Sequence, residues 1–357
     1  MRGITIRDVA QAAGVSVTSV SNYLNARHGE MRPETMTRIA AMIEALGYTP
    51  SGAARQLKTG HVPMLGLLLP SVANPYFGEL AVALDTAAQE KGFRVILCNT
   101  QRQSEREDAF IQELAAYGIR GILATSVPYS ARAMNFLIQR GVAFVLFETL
   151  TADSGFDRVD VVSMNNFLAT SKTVDHLVSL GHESIAYATV TPLTPHRLLR
   201  QQGFQAAMQR HHLSGTVVRD KDLAMSAPLR NDMELAHFGH MAALRILDMT
   251  PRPTAVVALN DQIALGMMFS FLEQGLKVPE DISIVGIDDI LLSSIVYPSL
   301  TTVRQSYRQI AEAAINCICT RLADPNHASV TINFEPELVI RASTSPPGSS
   351  LLLQLPR

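Results

Sequence analysis

The spacing of hydrophobic residues changes character near residue 64. Before it, apolar positions recur every three or four residues. After it, short unbroken apolar runs alternate with amphipathic stretches. The first segment predicts three short helices. Ile6, Val9, Ala10 and Ala13 share one face of the first; Thr5 and Asp8 stand at capping-box spacing before it, and Gly14 ends it. Ser16 caps a second helix running from Val17 to about Leu24. Pro33 opens a third, with Ile39, Ala40, Ile43 and Leu46 on one face and Gly47 as the stop. Thr49 to Gly52 reads as a turn, Ala53 to Lys58 as a brief helical piece, and Thr59 to Pro63 as a linker.

Beyond Met64 the apolar runs predict strands at 65–69, 94–97, 121–124, 144–147, 185–188, 255–258 and 283–287. Helices are predicted between them at 78–91, 105–117, 132–140, 168–179, 203–210, 235–247 and 263–273. Continuously apolar strands, each followed by a helix, imply parallel sheets covered on both faces. About 280 residues exceed what one such sheet needs, so the segment is split in two near residues 162–164. Ligands of such sheets bind beyond the carboxyl ends of the strands, here in a cleft between lobes. The end of the chain, with three prolines and a five-residue Leu-rich stretch, reads as frayed.

Composition agrees with a large globular core: 47% of residues are hydrophobic and 17% charged. The net charge of −2 divides unevenly. Residues 1–60 hold seven Lys/Arg against four acids, a net of +3, which leaves −5 for the remainder. A basic head on an acidic body suits a polyanion-binding end. Export and a membrane span are not indicated, because the start lacks an apolar signal core and no run of about 18 apolar residues occurs. Cys98, Cys317 and Cys319 make no disulfide framework and read as reduced thiols in a cytoplasmic protein. Gly-x-Ser-x-Gly, Walker, Gly-x-Gly-x-x-Gly and HExxH motifs are all missing, which argues against an enzyme. Nothing calls for a cofactor or a metal.

A helix, a tight turn and a second helix within about 20 residues can read DNA if the second helix fits the major groove. Ala10 and Ala13 permit close helix crossing, and Val15 and Val20 can fill a small core. Ser16, Thr18, Ser19 and Ser21 place hydroxyls at the start of the second helix, where backbone N–H groups and hydroxyls meet phosphate. An ordinary α-hairpin is the alternative. The stretch from Ile4 to Asn25 resembles the headpiece of the lac repressor family. The likeness continues through Gly47-Tyr48-Thr49-Pro50-Ser51 and Ala54-Arg55-Gln56-Leu57-Lys58, then Asn74-Pro75-Tyr76-Phe77, His176-Leu177 with Gly181-His182, and Arg200 with Gly203-Phe204. It goes on with Pro253-Thr254-Ala255-Val256, Asn260-Asp261, Val285-Gly286-Ile287-Asp288-Asp289, and Pro298 with Leu300-Thr301-Thr302-Val303, covering residues 4 to about 341 in family order.

The resemblance implies an all-α helix-turn-helix headpiece (1–50), a hinge helix and linker (51–62), and an α/β core (63–341) followed by a flexible tail (342–357). The core would be two doubly wound parallel-sheet lobes of periplasmic-binding-protein-like fold, one of about 63–162 plus 293–323 and the other of 163–292 plus 324–341. It further implies a cytoplasmic repressor, homodimeric on pseudo-palindromic double-stranded operator DNA and controlled by a small polar effector such as a sugar, without a membrane partner. Val17, Thr18 and Asn22 would read bases, with Thr5, Ser16, Ser19, Ser21 and Asn25 beside them. Ala54, Leu57 and Lys58 would lie in the minor groove, Leu57 as the wedge in a central base step. Relatives more often carry threonine at 19 and arginine or histidine at 22, so Ser19 and Asn22 point to a different half-site. Asn22 could equally be a polar surface residue, and Leu57 a core leucine.

For the cleft, the resemblance implies Arg200 as a fork of donors, Asp261 as a carboxylate acceptor, Tyr76 and Phe77 as aromatics after the first strand, and Glu148 near a position often aspartate. Each has a plainer alternative: Arg200 as an exposed helix residue, Asp261 as a helix cap, the aromatics as core. Asp288 and Asp289 are expected to order the cleft-side loop, and His176 and His182 to be structural. Leu223 stands where an aromatic platform often sits, which leaves the effector class open. A free-standing solute-binding protein, which shares this core fold, would carry an export signal where the helix-turn-helix lies.

Overall fold

The computed structural model describes residues 4–24, 29, 31–48, 62–125, 131–147, 156, 158–191, 194–223 and 233–348. The chain separates into two units, Met1–Val62 and Pro63–Arg357.

The first unit is three helices, α1 (Ile6–Ala13), α2 (Val17–Leu24) and α3 (Pro33–Leu46). Asp8 reaches back to accept from the Thr5 backbone N–H and hydroxyl, both at 2.7 Å, so an N-terminal orphan donor finds a partner. Gly14 takes φ 62°, a left-handed conformation that glycine adopts without cost, and this turns α1 directly into α2. Ser16 caps α2 by accepting from Ser19 N–H at 3.0 Å. Val9, Ala10, Ala13, Val20 and Ile39 are the buried centre, one apolar stripe from each helix. The expected turn and hinge helix over 49–61 lie outside the described residues.

The second unit carries two parallel sheets. The first orders β11 (Thr331–Phe334), β5 (Asp160–Met164), β4 (Ala143–Leu146), β3 (Gly121–Ala124), β1 (Met64–Leu69) and β2 (Arg94–Asn99), with every pairing parallel. In β1, Leu65, Leu67 and Leu69 face one core with α4 (Pro75–Glu90) and α12 (Tyr307–Ala323). Leu68 faces the other, with α5 (Ser104–Ala116) and α6 (Ala131–Gln139). Both faces are thus covered, which explains the unbroken apolar run. The second sheet orders β7 (Thr216–Arg219), β6 (Ile185–Thr189), β8 (Ala255–Ala258) and β9 (Ser283–Val285). It belongs with α7 (Asn166–Ser179), α8 (Pro195–Arg210), α9 (Met233–Leu247) and α10 (Asp261–Glu273).

The chain crosses between lobes differently from the expected division. β11 lies in the expected second-lobe segment 324–341, yet it pairs with β5 and extends the first sheet. Leu300, in the expected first-lobe segment 293–323, packs in the second lobe's core. A short helix α11 (Leu291–Ile295) precedes the crossover, and β10 (Thr302–Arg304) pairs antiparallel with β12 (Glu337–Val339) between the sheets. The tail is docked as far as it is described. Ser343 is fully buried and donates to Ile284 O at 2.6 Å, while Ser345 N–H donates to Ser283 Oγ at 3.1 Å. His182 holds the same segment: its ring lies 2.9 Å from Thr254 Oγ1 and 2.9 Å from Ser345 O, a structural role. Burial lowers its pKa and favours the neutral ring. Residues 349–357 lie outside the described ones.

Candidate functional site

In the first unit, α2 presents Ser16, Val17 and Thr18 as exposed side chains, while Ser19, Ser21 and Asn22 are half-buried. Val20 points into the core, which fixes the rotation of the helix and turns the Val17–Thr18 edge outward. Thr5 is committed locally to Asp8. Asn25, Ala54, Leu57 and Lys58 fall outside the described residues.

In the second unit, three helices begin where strands end. Asn74, Asn165 and Asn260 cap α4, α7 and α10, each accepting from a backbone N–H two or three residues on. Their strands β1, β5 and β8 end on a common cleft. Tyr76 and Phe77 line it, edge to face with ring centroids 4.9 Å apart, and Phe77 also belongs to the first-lobe core. Thr125, Phe147 and Ser163 add to the first-lobe wall, and Leu235, rather than Leu223, to the second. Leu223 packs against the second core instead. Glu148 is outside the described residues.

Arg200 lies in the cleft wall, 6% exposed. Its Nε donates to Asn166 Oδ1 at 2.8 Å, its Nη1 to Leu259 O at 2.6 Å, and its Nη2 is 3.5 Å from Asp288 Oδ1. It therefore holds the floor of the cleft together across α7, β8 and the loop after β9. Asp288 also accepts from Gln305 at 3.1 Å, and Tyr307 donates to its carbonyl at 2.9 Å. Its backbone is at φ 131°, a left-handed value that costs on the order of 1–3 kcal/mol and clusters at functional sites. Burial pushes its carboxyl up to about 7 against the pull of Arg200, with Asp261 adding repulsion.

Asp261 departs from its expected place. It does not line the cleft. It is fully buried beneath the same loop, accepting from Ile290 N–H at 3.0 Å, Ser293 Oγ at 2.7 Å and Thr302 Oγ1. At Gly286 a Cβ would come within 2.2 Å of Asp261 Oδ1, so only glycine admits the approach. The cap of α10 is its neighbour Asn260, which does line the cleft. The two loop aspartates also divide their work. Asp289 orders the loop through Arg304, at 2.7 Å, and Arg341, whereas Asp288 faces the cleft. Arg197 and Gln305 are cleft residues that sequence reasoning passed over, and Asp288, expected only to order the cleft-side loop, lines the cleft as well. Charged side chains at strand-end loops and first helical turns were the available signal.

A two-lobed parallel α/β core with a polar cleft at its strand ends, behind a helix-turn-helix, defines a ligand-sensing DNA-binding protein. Residues 5–51 match the lacI family of bacterial regulatory proteins, and residues 174–344 match the periplasmic-binding-protein-like domain. The HTH-type transcriptional repressor PurR of Histophilus somni is 31% identical over 341 residues, 95% of this chain and 98% of its own. The lac repressor dimer bound to operator and the anti-inducer ONPF superposes with a TM-score of 0.81 at 24% identity, covering 96% of this chain and 100% of that one. A LacI-family regulator from Enterococcus faecium with bound ribose covers 79% of this chain and 99% of its own, with a TM-score of 0.67 at 24% identity. The chain belongs to the lacI family: it is a DNA-binding regulator of transcription and not an enzyme. Among the described residues no helix is long and apolar enough to cross a membrane.

Proposed function

We propose that the chain is a cytoplasmic repressor that binds a pseudo-palindromic operator as a homodimer, with operator affinity set by a small polar effector in the cleft. The observation that carries this is the cleft itself: a buried network of Arg200, Asn166 and Asp288 beside Tyr76 and Phe77, on the chain that bears the helix-turn-helix. Val17, Thr18 and Asn22 read bases, and Thr5, Ser16, Ser19, Ser21 and Asn25 contact the sugar-phosphate backbone. Ala54, Leu57 and Lys58 enter the minor groove, with Leu57 as the wedge. Glu148 joins the cleft by family resemblance; Asp261 braces the loop behind it. The homodimer reading is supported by apolar side chains left exposed on the second lobe. Leu291, Ile295 and Tyr297 (94% exposed) are prominent, and Phe269 and Leu272 stand out on α10.

The structural neighbours include one holding ribose, and the lac repressor dimer holds operator and an anti-inducer. Effector binding would close or open the lobes and bias hinge ordering, a coupling of about 1–3 kcal/mol between the sites. The test is Leu57→Ala on a duplex selected by the wild-type chain from random DNA. Specific affinity falls by about tenfold or more, since unstacking a base step and its repayment are worth a few kcal/mol, while unfolding midpoints stay unchanged. An unaltered operator affinity would remove Leu57 from the interface.

A further inference from the structure

We infer that Glu79 and the backbone N–H of Leu291 form a latch between the two lobes, and that holding this latch sets operator affinity. The inference rests on reading lobe movement as coupled to operator binding, and it names a contact on which that coupling turns.

Glu79 and Leu291 are 212 residues apart in the chain, and Glu79 Oε1 accepts from Leu291 N–H at 3.2 Å. Each is anchored in a different lobe. Glu79 sits on α4, whose Phe77, Leu80 and Leu84 pack in the first-lobe core. Leu291 opens α11, which the second lobe holds: Ile290 N–H and the Ser293 hydroxyl donate to Asp261, and Val296 packs on the second-lobe core. No chain crossing leads from α4 to α11, since α4 runs on to β2 and α11 to β10. A rotation of one lobe against the other therefore acts on this hydrogen bond directly. Its length is already at the long end of the usual range of about 2.7–3.2 Å, so a small rotation is enough to break it.

The segment that ends at Leu291 begins in the cleft. Asp288 lines the cleft and lies 3.5 Å from Arg200, while Tyr307 of the first lobe donates to its carbonyl at 2.9 Å. Asp289 is held by Arg304 and Arg341, Ile290 by Asp261, and Leu291 by Glu79. Successive residues are thus fixed by separate partners, so the segment shifts as a piece and a displacement at Asp288 reaches Leu291. Next along the chain come the exposed apolar side chains of Leu291, Ile295 and Tyr297, the face read as a homodimer contact. The latch is also finely balanced. Partial burial and the Asp289 carboxylate raise the pKa of Glu79 and so work against its charged form, whereas the Leu291 N–H supports it. One donor set against two opposing effects suits release; Asp261, with three donors, suits a permanent brace.

The experiment uses the full chain and cuts the latch from each side. Glu79→Ala removes the acceptor, and Glu79→Gln keeps an oxygen in its place. Leu291→Pro removes the N–H. Proline suits the first position of a helix, and Ile290, at φ −65° and ψ 155°, already has the conformation a following proline requires. Leu291→Ala keeps the N–H and controls for the lost side chain. Two quantities are read. One is the distance between the lobes, by electron–electron resonance between keto-reactive spin labels at the exposed positions Gln112 and Lys277, in an excess of unlabelled chain. The other is affinity for a duplex selected by the wild-type chain from random DNA. Glu79→Ala and Leu291→Pro each shift or broaden the distance and change operator affinity by about threefold to tenfold in the same direction, the scale of one hydrogen bond. Together they do no more than either alone. Glu79→Gln and Leu291→Ala stay close to wild type, and Glu79→Ala against Glu79→Gln decides if Leu291→Pro fails to fold. An unchanged lobe distance in Glu79→Ala overturns the latch, as do additive effects of the two cuts or a Leu291→Ala chain that behaves like Leu291→Pro. If the distance shifts and operator affinity does not, the latch stands and the coupling of lobes to operator falls.

Discussion

Asp261→Ala separates a brace from a ligand contact. Asp261 is fully buried and accepts three hydrogen bonds, from the Ile290 N–H and from the hydroxyls of Ser293 and Thr302. Truncation orphans the N–H outright, at about 1–3 kcal/mol, and costs less for each hydroxyl, which can rotate toward another acceptor. Against this, a carboxyl that burial pushes up to about 6 no longer has to be ionised inside the protein. The net loss is about 2–4 kcal/mol, a large share of the roughly 5–15 kcal/mol a typical fold possesses. Asp261→Asn keeps the shape and an oxygen for Ile290 and Ser293, with the Thr302 hydroxyl turned to accept, and costs about 1 kcal/mol or less. Urea unfolding at neutral pH measures both variants. Calorimetry with whichever effector binds the wild-type chain then asks whether the folded Asp261→Asn protein still takes it, and it does. An Asp261→Ala chain as stable as wild type but blind to that effector would refute the brace and return Asp261 to the cleft.

Three further outcomes follow from the same contacts. Gly286→Ala drives a Cβ toward Asp261 Oδ1 and lowers stability by about 1–3 kcal/mol; with Asp261→Ala the two losses are less than additive, which a double-mutant cycle in urea detects. Asp288 and Asp261 both keep their protons longer in the folded chain than in the unfolded one, with carboxyls raised from 3.8 to about 7 and about 6. Their contribution is therefore complete below about pH 4 and lost as pH rises toward 7, so the stability difference between wild type and Asp288→Asn narrows or reverses across that interval, and a constant difference would contradict the burial cause. Ser16→Ala removes the acceptor of Ser19 N–H and costs the headpiece about 1 kcal/mol, seen as a drop of about 4–8 °C in its thermal midpoint.

Much of this architecture is legible in the sequence where local and tertiary demands agree. The strands at 65–69, 121–124 and 255–258 are apolar throughout because both faces are covered, and the caps at Thr5, Ser16 and Asn260 are short-range chemistry. β7 and β11 are harder to see, since they lie at the edges of their sheets and bury little: Val218 is the one buried residue of β7, and β11 has none. No local signal states that β11 returns to pair with β5, about 170 residues earlier. α8 begins at Pro195 rather than near Gly203 because its first two turns are polar in composition yet buried, with Arg197, Arg200 and Gln201 turned into the protein. Asp261 and Asp288 show the same limit in the site. Both follow strands and both suit a cleft, and only the packing of the 286–290 loop decides that one carries the loop while the other faces the opening.

The central claim is that this chain reads a specific operator and that the cleft controls the reading. Fluorescence anisotropy of the full chain on a duplex selected from random DNA, with and without the effector that binds it, measures both parts at once. The account predicts a two-fold-symmetric recognition sequence and a change in its affinity of about 5–150-fold on adding the effector, in either direction. Binding without sequence preference, or an operator affinity that the cleft-bound effector leaves untouched, would contradict it.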